Sequence, residues 1–334
     1  MSLVLTVGRT RSGADITVRG GDNPHLAVLG RSGSGKSYFL NGLVSQVARQ
    51  GALCLILDYS ADFRHYIPPD GVPFCRIDTT NPEFTVNPLA VAAGKGGGIA
   101  AQQLLSALHS VFRMGPRASL ALQKTTLSYL ETTDSPALTG LLRYAQDMEK
   151  KSAGLTAATE PLELLTTLIH CGSEPISIDL NQQGIIVLGL DQIVDNKLRA
   201  LLVELILQTV WNQWTATPAP DYPLILVLDE CQNLSWSESS IAVRILREGR
   251  KFNIGGWFAS QWISNKTATS ALGQAAFQAN FRPEDDNIPA LSKRLVQSEG
   301  KAADWQQLLR RLRRGQFLFS SGGGRPLLVN VPER

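Results

Sequence analysis

Apolar residues recur along the chain in two patterns, one typical of buried strands and one typical of helices. Residues 53–59, 184–190 and 224–229 form almost uninterrupted apolar runs, which favour strands buried on both faces. Within residues 38–50 the apolar positions recur every three or four residues, so they lie on one face of a predicted helix. Strands that alternate with helices in this order predict a parallel sheet covered on both faces.

Other segments predict further strands and one more helix. Residues 1–20 predict a short hairpin, because β-branched residues alternate on both sides of a glycine turn. SIDL, residues 177–180, and IGGWFAS, residues 254–260, predict strands, and residues 197–214 predict an amphipathic helix. The closing segment predicts a terminal hairpin whose turn lies at residues 322–324.

A change in composition divides the chain. From the glycine-rich segment AAGKGGG, residues 92–98, to about residue 171, helix formers dominate and β-branched runs are almost absent. We therefore expect residues 1–98 to form the first part of an α/β domain. Residues 99–171 are expected to form an all-helical insertion, and residues 172–334 the remainder of the α/β domain.

Composition excludes several classes of protein but does not identify a partner. The 334 residues are 43% apolar and 18% charged, which is typical of a globular chain rather than a disordered or fibrous one. No apolar run approaches the ~18–20 residues that cross a bilayer, and the start of the chain lacks a signal-peptide pattern, so we expect a cytoplasmic protein without a transmembrane segment. A net charge of +3 is too small to indicate nucleic-acid binding by itself.

The segment GRSGSGKS, residues 30–37, matches the pattern GxxxxGK[ST] between a predicted strand and a predicted helix. Its glycines let backbone N–H groups converge on phosphate oxygens, and the positive end of the following helix adds to the same field. Lys36 is predicted to hold the β- and γ-phosphates, and the Ser37 hydroxyl to ligate Mg²⁺. The predicted nucleotide-binding residues lie in or directly after this segment: Gly30, Ser32, Gly33, Ser34, Gly35, Lys36, Ser37 and Tyr38.

An acidic pair, Asp229 and Glu230, follows the apolar run LILVL. The carboxyl end of a strand is where a P-loop fold needs a partner for Mg²⁺, so Asp229 is predicted to be a metal ligand. Glu230 is then placed to polarise a water for attack on the γ-phosphate. The sequence therefore predicts an NTPase rather than a simple phosphate-binding site, with Lys36 and Glu230 as catalytic residues.

The order of these motifs resembles that of the HerA–FtsK superfamily of ring ATPases. The segments GRSGSGKS, LILDYSADF and VNPL, a helical insert, and then LILVLDECQNL, REGRKFNI and FASQ follow one another from about residue 20 to about residue 332. The resemblance implies a RecA-like P-loop NTPase with a mainly parallel central sheet, helices on both faces and an inserted all-α module. It also implies ATP and Mg²⁺ as cofactors, and the chain has no guanine-reading NKxD motif.

The resemblance also implies roles for two further residues. Gln261 would end a strand as a polar sensor near the γ-phosphate, and Arg250 would project into a neighbouring subunit's nucleotide as an arginine finger. Arg247, one helical turn earlier, is the alternative finger. A finger that acts in trans requires a head-to-tail ring, and the resemblance implies six copies of the chain.

Three functions remain open at this point. The first is a ring ATPase that moves DNA through its pore, as HerA-like and FtsK-like motors do. The second is a type IV secretion or conjugation ATPase that moves protein or pilus subunits, because the helical insertion resembles that branch. The third is a small-molecule kinase, although such kinases have no need of Glu230 or of a neighbour's arginine. Secretion or nuclease proteins are the further partners that the resemblance implies.

Basic and aromatic residues give weaker indications. Residues 310–314 contain four arginines, which could contact a phosphate backbone, complement a helix end or lie at a subunit interface. Trp262 and Lys266 could face a central pore, although a buried Trp and an exposed Lys would give the same pattern.

Overall fold

The computed structural model describes residues 3–20, 23–90, 97–112, 114–149, 156–168, 170, 172, 174–216, 220–262, 265–296, 300–322 and 324–332. The strands are β1 (Leu3–Arg9), β2 (Asp15–Gly20), β3 (Leu26–Leu29), β4 (Leu53–Asp58), β5 (Phe74–Asp78), β6 (Gly184–Gly189), β7 (Leu224–Leu228), β8 (Ile254–Ser260), β9 (Phe277–Phe281), β10 (Gln316–Ser321) and β11 (Leu327–Asn330). The α-helices are α1 (Lys36–Arg49), α2 (Gly97–Val111), α3 (Pro116–Leu130), α4 (Leu138–Glu149), α5 (Thr156–Leu168), α6 (Asn196–Ala216), α7 (Ile241–Glu248), α8 (Lys266–Leu272), α9 (Ile288–Val296) and α10 (Ala302–Arg311). Short 3-10 turns lie at Cys231–Asn233, Gly249–Phe252 and Asp285–Asn287.

The described strands form one sheet of 11 strands in the order β2-β1-β11-β10-β9-β3-β8-β7-β4-β6-β5. All neighbours from β9 to β5 are parallel, and β10, β11, β1 and β2 extend the sheet in antiparallel pairs. The predicted α/β class with a mainly parallel central sheet is confirmed. The carboxyl ends of β3, β8, β7 and β4 therefore meet at one edge of the sheet, which is where a doubly wound fold binds its ligands.

Helices cover both faces of the sheet. On one face α1 packs its apolar stripe, which includes Phe39, Leu43 and Val47, against alternate residues of the strands. On the other face α6, α7 and α8 share a core with the helices of the insertion. Among the described residues, none of the helices is long and apolar enough to span a membrane.

Helix α6 is not amphipathic, and that prediction was wrong. Every residue from 200 to 211 is buried, because the helix shares one core with the strands and the insertion and packs along α2. The side-chain amides of Gln103 and Asn212 join the two helices through reciprocal hydrogen bonds of 3.0 and 2.8 Å. A helix that is buried all round needs no polar face, and the sequence of α6 does not show which element covers it.

A carboxylate lies in the buried part of α6. Glu204 is 3% exposed, and its Oε1 accepts a hydrogen bond of 2.9 Å from the backbone N–H of Ile241, the first residue of α7. Burial raises the pKa of Glu204 to about 7, because a desolvated carboxylate is disfavoured in its charged form. Glu204 thus links α6 to the start of α7.

One predicted strand does not form, and strands β5 and β9 were not predicted. SIDL, residues 177–180, forms no strand. An isolated bridge joins Ile176, the residue before it, to Val86. Strand β5 was not predicted, because it is a short edge strand with exposed Phe74 and Cys75 rather than an apolar run. The predicted terminal hairpin is confirmed as β10 and β11, and its turn falls partly outside the described residues at position 323.

The predicted insertion contains α2 to α5, which begin at residue 97. These helices bury Leu104, Leu122, Leu141 and Leu165 in the same core as α6. Most of the glycine-rich segment before them, residues 91–96, lies outside the described residues. The boundaries at residues 98 and 171 remain predictions.

Candidate nucleotide-binding site

The loop between β3 and α1 depends on glycine for its path. Gly33 and Gly35 have φ angles of 70° and 109°, in the region that favours residues without a Cβ. A Cβ at Gly30 would lie 2.5 Å from the Cβ of Phe281 on β9. The loop is therefore held tightly against the sheet where the first turn of α1 begins, as phosphate-binding loops require.

Lys36, the first residue of α1, lies inside this loop. It is 7% exposed, and its Nζ donates a hydrogen bond of 3.2 Å to the carbonyl of Arg31. Burial lowers the pKa of Lys36, while the nearby charges of Glu230, Asp229 and Asp62 oppose that change. The loop lysine and the acidic pair, almost two hundred residues apart in sequence, thus lie close together in the fold.

Asp229 follows β7 and lies next to the end of β4, the neighbouring parallel strand. It is 3% exposed. Its Oδ2 accepts a hydrogen bond of 2.6 Å from the Ser60 hydroxyl, and its Oδ1 accepts one of 2.9 Å from the backbone N–H of Glu230. Burial, with the charges of Glu230 and Asp62, raises the pKa of Asp229 to about 6.

Asp62 and Ser60 are functional candidates that were not predicted. Asp62 accepts a hydrogen bond from the hydroxyl of Ser37, the predicted Mg²⁺ ligand, and Ser60 contacts Asp229. Both residues lie in LILDYSADF, directly after β4. Since β4 was already predicted to be a buried parallel strand, the polar residues that follow it could have been assigned to the same edge of the sheet.

Glu230 has an unusual backbone conformation, with φ 52° and ψ 41°, which residues other than glycine seldom adopt. Its carboxylate accepts hydrogen bonds from the side-chain amide of Gln232 and, at 3.4 Å, from that of Gln261. Gln232 in turn accepts a hydrogen bond of 2.6 Å from the hydroxyl of Ser260. Side chains that follow β7 and β8 therefore hold the Glu230 carboxylate in place. Gln232 is a further residue of the site that the sequence analysis did not predict.

The remaining predicted residues of the loop lie at its surface or support it. Ser32 and Tyr38 are exposed. The hydroxyl of Ser34 donates a hydrogen bond of 2.7 Å to the carbonyl of Arg31, and the carbonyl of Ser34 accepts one of 2.9 Å from the backbone N–H of Gly315. Ser34 therefore stabilises the loop from within and joins it to the segment before β10.

Arg250 lies at the opposite edge of the sheet. Arg250 precedes β8. The carbonyl of Asn253, which lies between Arg250 and β8, accepts a hydrogen bond from the backbone N–H of Leu224 at the start of β7. Strand β8 has seven residues, which at ~3.3 Å per residue puts about 20 Å between Arg250 and its own phosphate loop. The charge of Arg250 acts instead on His25, whose pKa is lowered to about 4 by burial and then by this arginine. Arg250 therefore does not reach the nucleotide site of its own chain.

The arginines near Arg250 are engaged within the chain. Arg247 forms an ion pair of 2.6 Å with Glu238. Arg244 pairs with Glu248 at 3.4 Å and lies 4.8 Å over the ring of Trp211. Arg250 is exposed and forms no ion pair with the residues that the structure describes.

The oxygen ligands at the phosphate loop fit a magnesium ion. Ser37 supplies a hydroxyl, and Asp229 and Asp62 supply carboxylates whose mutual repulsion a cation would relieve. Within the described ranges, no group of three or more His, Cys, Asp and Glu side chains could hold a metal ion. Mg²⁺ takes one or two carboxylates together with phosphate oxygens and water.

The structure gives positions for Trp262, Lys266 and the first two arginines of residues 310–314, but it does not test their predicted roles. Trp262 packs beside the small core between α9 and α10, and Lys266 lies exposed at the start of α8. Arg310 and Arg311 occupy the last turn of α10 and are exposed. A pore position for Trp262 or a phosphate contact for the arginine run remains a prediction.

The chain is similar to one family model and to several solved structures. Residues 6–93 match the family model described as the central domain of the helicase HerA. The VirB4 structure of Thermoanaerobacter pseudethanolicus is 18% identical, with a TM-score of 0.79, over 99% of this chain and 96% of that one. The plasmid coupling protein TrwB is 15% identical over 94% of this chain and 86% of that one, with TM-scores of 0.69 in its complex with the ATP analogue ADPNP and 0.68 in its complex with ADP and Mg²⁺.

A comparison with curated proteins gives no match. The family model covers the region of the phosphate loop, and the two structures cover nearly all of the fold, including the helical insertion. The predicted resemblance to the HerA–FtsK superfamily is confirmed by the family model over residues 6–93. The predicted RecA-like P-loop fold is confirmed by the likeness to VirB4 and TrwB over nearly the whole chain.

Proposed function

We propose that this protein is a ring-forming Mg-ATPase motor that hydrolyses ATP at sites shared between subunits and moves DNA. The observation that carries the proposal is the separation of the catalytic groups. The phosphate loop, Asp229 and Glu230 lie together at one edge of the sheet, whereas the exposed Arg250 lies at the other. Only a neighbouring copy, packed head to tail, can bring that arginine to the phosphates.

The roles at the site follow from the contacts. Lys36 would neutralise the β- and γ-phosphates, and Ser37 and Asp229, with Asp62 beside them, would hold Mg²⁺. Bound Mg²⁺ would draw charge from the phosphate oxygens. Glu230 would orient and polarise the attacking water, because its carboxylate is fixed by two amides.

Gln261 would link this water to the sheet as a sensor. Its amide lies 3.4 Å from the Glu230 carboxylate, close enough to respond when that carboxylate changes partner. The guanidinium of Arg250 would compensate the charge that develops on the transferred phosphoryl group of the neighbouring subunit. ATP and Mg²⁺ as ligands are supported by the TrwB complexes, whose fold the chain shares.

ATP hydrolysis measured against protein concentration, with and without duplex DNA, tests the proposal. Hydrolysis per subunit should rise with concentration as the ring assembles. Glu230→Gln should lower the rate by at least ~100-fold, because general-base catalysis contributes about that much. Arg250→Ala should lower it by about 1,000-fold, whereas Arg247→Ala, which removes an arginine already paired with Glu238, should leave most of the rate.

Mixing two variants that are each inactive tests directly whether one active site uses residues from two subunits. Glu230→Gln and Arg250→Ala have complementary defects, so a mixed ring contains some sites with both residues intact and should regain part of the activity. Hydrolysis per subunit that does not depend on protein concentration, together with an Arg250→Ala rate equal to wild type, would rule out the shared site. If only Arg247→Ala is inactive, the finger is Arg247.

The second candidate function is a type IV secretion or conjugation ATPase that moves protein or pilus subunits. The match to VirB4 over 99% of the chain favours it. Duplex DNA decides between the two functions: stimulated hydrolysis supports a DNA motor, and hydrolysis that is indifferent to DNA supports the secretion ATPase. Hydrolysis of ATP in the absence of any phosphate acceptor would contradict the third function, a small-molecule kinase.

A further inference from the structure

A cavity of about 580 Å³ lies on the sheet between α8 and α9, away from the phosphate loop. Phe277, Ala279 and Phe281 of β9 point into the core on the α1 side. Because side chains alternate along a strand, Gln278 and Asn280 point to the opposite face, where they form the floor of the cavity. The size lies within the range of ligand sites.

The chemistry of the cavity is cationic and rich in neutral hydrogen-bonding groups. Arg294 of α9 lines it together with Ser270, Gln278, Asn280 and Ser320. None of the described residues that line the cavity is acidic, and the others are small, apolar or amide residues. A cavity with one guanidinium and several amides and hydroxyls is suited to an anion with several oxygen acceptors.

Two of these side chains lack partners. Asn280 is 3% exposed, and its side-chain amide makes no hydrogen bond to any residue that the structure describes. Arg294 is only partly exposed and has no ion pair within the described ranges. Burial lowers the pKa of Arg294 with no carboxylate to oppose it. A guanidinium and an amide that line one cavity and have no partner among the described residues are available to bind a ligand there.

We propose that this cavity is a second anion site, which takes the phosphate group of a nucleotide unit, with Arg294 as the phosphate ligand and Asn280 and Gln278 as hydrogen-bond partners. Phosphate fits because a guanidinium binds it through two parallel hydrogen bonds. The volume accommodates more than the ion alone, so a sugar or base can lie over the amides. The phosphate could belong to a nucleic-acid strand or to a free nucleotide.

Binding of a fluorescein-labelled single-stranded oligonucleotide to the whole chain, followed by anisotropy without ATP, tests the site independently of hydrolysis. Arg294→Gln should weaken binding about tenfold, as expected for the loss of a charge-assisted hydrogen bond. It should also lower the salt slope of log K by about one. The matched control is Lys293→Gln, one residue earlier on α9 but exposed, which should change binding less than twofold.

Thermal stability separates a binding role from a structural role. Removal of an unpaired, partly buried charge should leave the melting temperature of Arg294→Gln equal to or above that of wild type. If Arg294→Gln does not fold, Gln278→Ala removes an amide from the floor without a change in charge and should weaken oligonucleotide binding by about threefold, as for one neutral hydrogen bond. Inorganic phosphate should raise the melting temperature of wild type more than that of Arg294→Gln at equal ionic strength.

The outcomes distinguish the sources of the phosphate. Weaker oligonucleotide binding in Arg294→Gln assigns the site to a nucleic-acid strand. Loss of the phosphate effect with unchanged oligonucleotide binding assigns it to a free phosphate ligand. If Arg294→Gln and Lys293→Gln weaken binding by the same factor, or if neither binding nor the phosphate effect changes, the proposal is wrong.

Discussion

The buried carboxylate of Glu204 provides a sharp test of the packing between α6 and α7. Glu204 is 3% exposed, and its carboxylate accepts a hydrogen bond from the backbone N–H of Ile241. Glu204→Gln keeps the size and the accepting oxygen of the side chain and removes its charge. The substitution therefore isolates the free energy of a buried charge at the start of the helix that leads to Arg250.

The magnitude follows from the pKa. Burial raises the pKa of Glu204 from 4.5 to about 7, which at about 1.4 kcal/mol per pH unit is about 3 kcal/mol. Because the folded state holds this proton more tightly than the unfolded state, the stabilising contribution is complete below pH 4.5. It is lost as the pH rises through about 7. Glu204→Gln avoids that loss.

Urea unfolding at pH 5 and at pH 8 measures the effect. We expect the free energy of unfolding of Glu204→Gln to exceed that of wild type by about 1 kcal/mol at pH 5 and by about 3 kcal/mol at pH 8. Glu131→Gln, at an exposed position after α3, serves as the control and should show no such pH-dependent gain. A gain for Glu204→Gln that is the same at both pH values, or a loss at pH 8, would refute the reasoning.

Two other substitutions test the phosphate loop and its acidic partner. Asp229→Asn should abolish ATP hydrolysis, because it removes a predicted Mg²⁺ ligand. Burial and neighbouring charges raise the pKa of Asp229 from 3.8 to about 6, so the same substitution should raise the free energy of unfolding at pH 8, measured in urea, by about 3 kcal/mol. A destabilised variant would contradict this account. Gly30→Ala would place a Cβ 2.5 Å from that of Phe281, and we expect it to lower the free energy of unfolding by at least ~2 kcal/mol. Gly98→Ala, which has nothing within 4 Å, is its control, and equal effects of the two would show that the loop is not tightly packed.

Much of the site could be located from the sequence, because its parts are local motifs at predictable ends of strands. Asp229 and Glu230 follow an uninterrupted apolar strand, and parallel strands bring their carboxyl ends to one edge. The same logic places Asp62 and Ser60 after β4, although that step was not taken. Gln232 could not be identified in this way, because its contact with Glu230 depends on the 3-10 turn at Cys231–Asn233.

Local patterns in the sequence determined most of the elements, the phosphate loop and the acidic pair, because alternation, helical periodicity and glycine requirements act over a few residues. Tertiary structure alone decided that α6 is covered on all sides, which arginines are paired and which cavity remains open beside Arg294. These outcomes depend on contacts between segments far apart in sequence, and a periodic pattern records only that a side chain is apolar or polar, not which partner it meets.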